Sequence, residues 1–190
     1  MIIGIDPGHS GAIACLDPTL GRLLWVEDMP TTPKTSGKGQ EVNEDGVRVL
    51  LRLESSITCV VIEQATYRPP RRHGELVQGG AGSAFVFGLG FGIVRGVAAG
   101  LGYRRELVLP NDWKRRMGLT GKDKGASRAL ASREFPGLAD RFLRVKDDGR
   151  AEAALIALDY LRRQGGPRGP RHVTGVFIDE ATPPSLEDIL

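Results

Sequence analysis

The sequence predicts an α/β domain with five strands in a mixed sheet and helices packed against it. Three observations predict it. Three apolar runs joined by short turns open the chain, a β-branched run ends on an acid at residue 63, and helical spacing fills much of the rest. At 190 residues the chain is long enough for one domain with a sizeable core.

The elements follow in order. Met1 to Asp6 is an apolar run ending in an acid, and Pro7-Gly8-His9-Ser10-Gly11 is a turn. Ala12 to Leu16 is apolar again. After the Asp17-Pro18 break, Arg22 to Asp28 reads as a third strand. Connections this short imply an antiparallel meander. Pro30 to Gly39 is a polar, Lys-bearing loop. Asn43 to Ser55 places Val47, Leu50, Leu51 and Glu54 at helical spacing. Ile57 to Ile62 reads as a buried central strand, followed by Glu63-Gln64 and a basic, Pro-rich loop from Tyr67 to Gly74.

Ala81 to Gly102 is nearly all apolar and about long enough to span a bilayer. Arg95 interrupts it, and Gly88, Gly92, Gly96 and Gly100 recur every fourth residue. A row of small residues admits close backbone approach, so the expectation is a helix packed tightly on the sheet or on a second subunit, with no membrane partner. Leu107 to Leu109 is a short strand stopped by Pro110, and Asn111 is the expected N-cap of a helix through Trp113. Lys124 to Phe135 is a helix ended by Pro136-Gly137. Asp148 to Arg163 is an Ala- and Leu-rich helix that begins on acids, as the helix dipole favours. Gly165 to Pro170 breaks the pattern. Residues 1–164 are therefore the expected domain and 165–190 a C-terminal tail, partly ordered at most.

Composition narrows the function classes. The net charge is only +3, yet the pI is about 9.1, which suits a nucleic-acid partner. Cys15 and Cys59 lie inside apolar runs and read as free thiols of a reducing cytosol. No Cys/His set has zinc spacing, and no signal peptide precedes the first strand.

Four acids carry the chemistry. Asp6 and Glu63 each end a buried strand, and Asp148 and Glu152 are four apart on one helix face. Each has a simpler role open to it. Asp6 fits a turn, Asp148 fits a helix cap, and Glu152 fits a solvated helix face. Glu63, closing Cys59-Val60-Val61-Ile62, is costly unless exposed or paired. If the four converge, their repulsion calls for a cation, and carboxylate oxygens select Mg²⁺ or Mn²⁺. Two such ions about 4 Å apart suit phosphodiester hydrolysis. Asp147 is an alternate for Asp148, and the sequence leaves that choice open.

Ile2-Ile3-Gly4-Ile5-Asp6-Pro7-Gly8 resembles the opening of the RuvC family of Holliday-junction resolvases. Val60-Val61-Ile62-Glu63-Gln64 resembles its second catalytic strand. The run from Lys146 through Asp147, Asp148 and Glu152 to Ala157 resembles its C-terminal catalytic helix, particularly in the phage branch. Val108 to Lys114 resembles the segment leading into the family's basic stretch, so the likeness covers about residues 1–163.

The resemblance implies an RNase H-like fold with a five-stranded mixed sheet. It also implies a homodimer and a metal-dependent endonuclease that resolves four-way junctions by paired nicks. Asp6, Glu63, Asp148 and Glu152 would be catalytic and hold two Mg²⁺ or Mn²⁺ ions per site, with no small-molecule cofactor. The Gly-bearing helix would lie at or near the dimer contact. The setting implied is the cytoplasm of a bacterial or phage-infected cell. This sequence departs from bacterial members in its last two acids, which stand four apart and not three.

Branched DNA is the expected partner. The basic loop after Glu63 offers Arg68, Arg71 and Arg72 to phosphates. Tyr67 sits where the family commonly stacks an aromatic on a splayed base. Lys114, Arg115, Arg116, Lys122 and Lys124 are expected to grip a second duplex arm. Trp25 and Trp113 read as core residues. Three rivals share parts of this pattern. One is an RNase H-like nuclease acting on hybrids or unbranched DNA, and another is a non-catalytic junction binder. The third is a small-molecule phosphotransferase, for which 190 residues leave little room.

Overall fold

A computed structural model describes residues 1–35, 38–64, 71–72, 75–76 and 80–166. The expected tail beyond residue 166 lies outside them. Strands β1 (Ile2–Asp6), β2 (Ala12–Asp17) and β3 (Arg22–Asp28) form the expected antiparallel meander. The next two strands, β4 (Thr31–Pro33) and β5 (Gln40–Val42), pair as a small separate hairpin where a loop was expected. Helix α1 (Glu44–Leu50) follows, capped by Asn43, whose side chain accepts from the Gly46 N–H.

Strand β6 (Cys59–Glu63) returns to the main sheet parallel to β1. Two short strands, β7 (Arg71–Arg72) and β8 (Glu75–Leu76), precede the long helix α2 (Gly80–Gly100). Strand β9 (Arg105–Val108) pairs parallel with β6. The main sheet is thus five-stranded and mixed, as expected, in the order β3-β2-β1-β6-β9. Helices α3 (Pro110–Arg116), α4 (Lys124–Glu134) and α5 (Asp148–Arg163) complete the chain, with 3₁₀ turns at Pro136–Phe142 and Val145–Asp147.

The period-two alternation of the strands sorts the core into two layers. Ile3, Ile5, Ile13, Cys15, Val60 and Ile62 pack beneath α1 and α2, with Val47, Leu50, Val94 and Ala98. Ile2, Ala14, Leu16, Cys59 and Val61 pack beneath α3, α4 and α5 on the opposite face. The two free cysteines therefore lie on opposite sides of the sheet, both buried.

Helix α5 approaches the sheet unusually closely, and its small residues are the reason. A Cβ on Gly4 would overlap the Ala153 carbonyl and lie 2.7 Å from the Ala157 nitrogen. A Cβ on Gly149 would lie 2.5 Å from the Ser10 carbonyl. Gly149, Ala153 and Ala157 are spaced four apart, so they form one ridge that seats on β1 and the turn after it. The Arg150 guanidinium pins the start of this helix to β3 through Asp28 at 2.6 and 2.7 Å.

One expectation is narrowed to its second-subunit alternative and another is corrected. The glycine row of α2 does not pack on the sheet, because nothing lies within 4 Å of a Cβ built on Gly88, Gly92, Gly96 or Gly100. The buried ridge is Gly90, Val94 and Ala98 instead, since its larger side chains remove more apolar area from water. Asn111 is not the cap of α3. That helix starts at Pro110, with Leu109 in the cap position, because proline at the first helical residue lacks only an N–H that would go unpaired anyway. Among the described residues no helix is long and apolar enough to cross a membrane.

Candidate metal centre

Register and alternation bring the first two acids together. Ile5 pairs with Ile62 across the parallel β1–β6 ladder, so the next residues, Asp6 and Glu63, end neighbouring strands side by side. Counting by twos from Ile2 and from Cys59 places both carboxyls on the face covered by α5. Gly4, two residues before Asp6 on that face, lets α5 close in and bring up Glu152, the residue before Ala153.

The three carboxyls feel one another. Burial pushes Asp6 up to about 7, and the Glu152 charge adds to the rise. Burial pushes Glu63 up to about 8, reinforced by Asp6 and then by Glu152. Lys114, from the first turns of α3, is the cation among them. Its Nζ donates to Glu152 Oε1 at 2.7 Å and eases the charge on both Asp6 and Glu63. Gly8 N–H donates a long bond of 3.4 Å to Asp6 Oδ1.

The remaining acids divide. Asp147 is 1 % exposed in its side chain and accepts from the Arg144 backbone N–H at 2.8 Å and from its guanidinium at 2.7 and 2.9 Å. Although burial alone would raise it, these bonds hold its carboxyl below the usual carboxylate range. It ties the 3₁₀ turn to the start of α5. Asp148 is held by Arg128 of α4 at 2.9 Å and perturbs neither Asp6 nor Glu63.

Among the described residues no three Asp, Glu, His or Cys side chains stand close enough to coordinate one ion as they are. Lys114 and Arg128 engage the two helix acids. The donor chemistry nevertheless fits a hard divalent cation. Asp6, Glu63 and Glu152 offer carboxylate oxygens alone, on one face, with a single lysine to offset their repulsion.

The expected DNA contacts fare unevenly. Tyr67 and Arg68 lie outside the described residues, and Arg71 and Arg72 are described only in backbone, as β7. Lys122 is exposed, and Lys124 opens α4. Arg115 is exposed and paired with Asp112 at 2.9 Å. Arg116 is engaged within the fold. Its guanidinium makes a two-pronged pair with buried Asp159, 2.7 Å on each side, and Arg163 adds a second partner at 3.2 Å. Lys114 belongs in the acid cluster before it belongs on a DNA arm.

Sequence reading missed Arg128 and Arg144, whose partners are 20 and 3 residues away, and the role of Trp113. Only the Arg144–Asp147 spacing, one turn, carried a local signal. Trp113 is fully buried, and its indole N–H has no hydrogen-bond partner. The indole eases the rise of the Glu63 carboxyl, after burial, Asp6, Glu152 and Lys114.

No family model matches the sequence, and no curated protein matches it. Solved structures do. The chain is similar to a Thermus thermophilus RuvC structure, with a TM-score of 0.56 and 19 % identity, covering 89 % of this chain and 99 % of that one. It is also similar to T. thermophilus RuvC in complex with Holliday junction substrate, with a TM-score of 0.53 and 21 % identity, covering 87 % and 96 %. At that level of identity the likeness is one of fold, and the chain carries the fold of the RuvC structures over nearly their whole length.

Proposed function

We propose that the chain is a metal-dependent endonuclease that resolves four-way DNA junctions. One observation carries this reading: three acids far apart in sequence, Asp6, Glu63 and Glu152, share one face at one end of the sheet. A fold gains nothing from confining mutually repelling carboxylates unless a cation compensates them. The complex of a similar fold with a Holliday junction favours branched DNA over other polymers.

Asp6 and Glu63 hold fixed positions at the strand ends, and Glu152 enters from the helix. Asp148 is the fourth ligand in this reading and must leave Arg128 to serve. Together these carboxylates would hold Mg²⁺ or Mn²⁺, which would supply an acidified water and positive charge for the departing 3′ oxygen. Release of Glu152 frees Lys114 Nζ for a phosphate oxygen near the scissile bond. The phage-type relationship, the paired nicks and the homodimer belong to this proposal. The open face of Gly88, Gly92, Gly96 and Gly100 is wide enough in backbone terms for a second copy of α2.

The test is a substrate panel of four-way junction, flap, plain duplex and RNA–DNA hybrid, each with Mg²⁺ or with chelator. The junction should be cut only with metal, and Asp6→Asn should abolish cutting while retaining junction binding. Cleavage confined to the hybrid, or undiminished cutting by Asp6→Asn, overturns the reading.

A further inference from the structure

Strand β9 leaves the sheet beside Glu63, with Val108 in register with it and the Gln64 N–H donating to the Val108 carbonyl. The chain then turns at Leu109-Pro110 into α3 and delivers Trp113 one turn later, on the same core face as Val108 and α5. The indole is fully buried in that layer, and among the described residues its N–H is one of two buried side-chain donors with no partner. An unpartnered buried donor is costly, so its persistence needs a reason. The other tryptophan shows the contrast, since the Trp25 N–H donates to Glu54 at 3.1 Å. The next residue, Lys114, lies over the Trp113 ring at 5.1 Å and binds Glu152 at 2.7 Å. One short stretch of α3 thus faces two of the clustered acids with two different donors.

We propose that Trp113 is a positioning residue for Glu63: its indole N–H completes a hydrogen bond to one carboxylate oxygen once a divalent ion engages the other. The inference rests on the metal-site reading given above. The Trp113 N–H has no hydrogen-bond partner, and the Glu63 carboxyl, raised by burial and by Asp6 and Glu152, is eased by this same indole. A bound cation removes the repulsion among these acids and leaves one oxygen to be satisfied. A buried ligand carboxylate is oriented by such an outer donor, which fixes the lone pair it presents to the ion. Trp113 does this from a site sealed from water, where a single hydrogen bond orients strongly.

The indole N–H can be watched directly by NMR on the full ¹⁵N-labelled chain, with Trp25→Phe assigning the two indole peaks. Addition of Mg²⁺ should move the Trp113 indole proton downfield and leave that of Trp25 in place, and Glu63→Gln should suppress the movement. Calorimetry should show Mg²⁺ binding weakened about tenfold in Trp113→Phe, the scale expected for loss of an outer-shell donor. A Trp113 indole peak unmoved by Mg²⁺, in a chain that calorimetry shows to bind Mg²⁺, overturns the inference and leaves the metal site standing. Absence of any Mg²⁺ binding overturns both. The NMR arm needs no substitution at Trp113, so a misfolded Trp113→Phe does not rescue the idea.

Discussion

Asp147 and Asp148 are adjacent in the chain and have different fates. Asp147 is buried and engaged by Arg144, whereas Asp148 holds a single, partly exposed partner in Arg128. Asp147→Asn should therefore cost about 1–3 kcal/mol of stability, read as a lowered denaturation midpoint, and leave Mg²⁺ affinity intact. Asp148→Asn should cost less than about 1 kcal/mol and weaken Mg²⁺ binding, because a pair this exposed contributes little to folding. The titration of the strand acids gives a second expectation. Folding raises Asp6 from an ordinary 3.8 to about 7 and Glu63 from 4.5 to about 8, so the folded chain holds protons that the unfolded chain has already released. Stability from these groups is full below about pH 4 and is lost as pH climbs through 7 and 8. With chelator present, the melting temperature should fall between pH 5 and pH 8. Saturating Mg²⁺ should flatten that slope, and an equal slope with and without metal would remove the acids from the cation site.

The ridge of Gly149, Ala153 and Ala157 on α5 sets how near Glu152 comes to Asp6. Gly4→Ala forces backbone apart, so it should destabilise by about 1–3 kcal/mol and weaken Mg²⁺ binding together. Equal metal affinity in a folded Gly4→Ala chain would show that this approach does not control the site. The α5 boundaries were legible from sequence, because its acids, its alanines and the Gly165 break agree. The glycine row of α2 faces away from the sheet. Spacing alone marks a row of small residues but cannot say whether that row or its neighbour faces the sheet, and the Gly90, Val94 and Ala98 ridge won on buried area. The β4–β5 hairpin escaped notice for a related reason. Its strands are three residues long, too short for alternation to declare itself.

The described residues form a five-stranded sheet with a helical layer on each face, and the end of it that carries Asp6 and Glu63 was legible because strand alternation is a strict rule. Asp6 and Glu63 could be placed at strand ends from the apolar runs before them. Which cations would meet the helix acids Glu152, Asp148 and Asp159 could not, since Lys114, Arg128 and Arg116 lie 38, 20 and 43 residues from them. A homodimer built on the open glycine face makes a further expectation. Gly92→Arg should leave the melting temperature of the chain nearly unchanged and shift sedimentation from dimer to monomer, and a persistent dimer would move the contact elsewhere.

Parallel pairing of β1 with β6 has one more consequence. The two strands run the same way, so no tight turn at the acid end links β1 directly to β6, and the intervening chain enters β6 from the opposite end. Insertions or deletions in the Thr31–Val42 hairpin region should leave the two carboxyls as neighbours. A single residue inserted within Cys59–Ile62 would instead rotate Glu63 to the far side of the sheet. The fold thereby separates where its length can drift from where a shift of one residue disarms it.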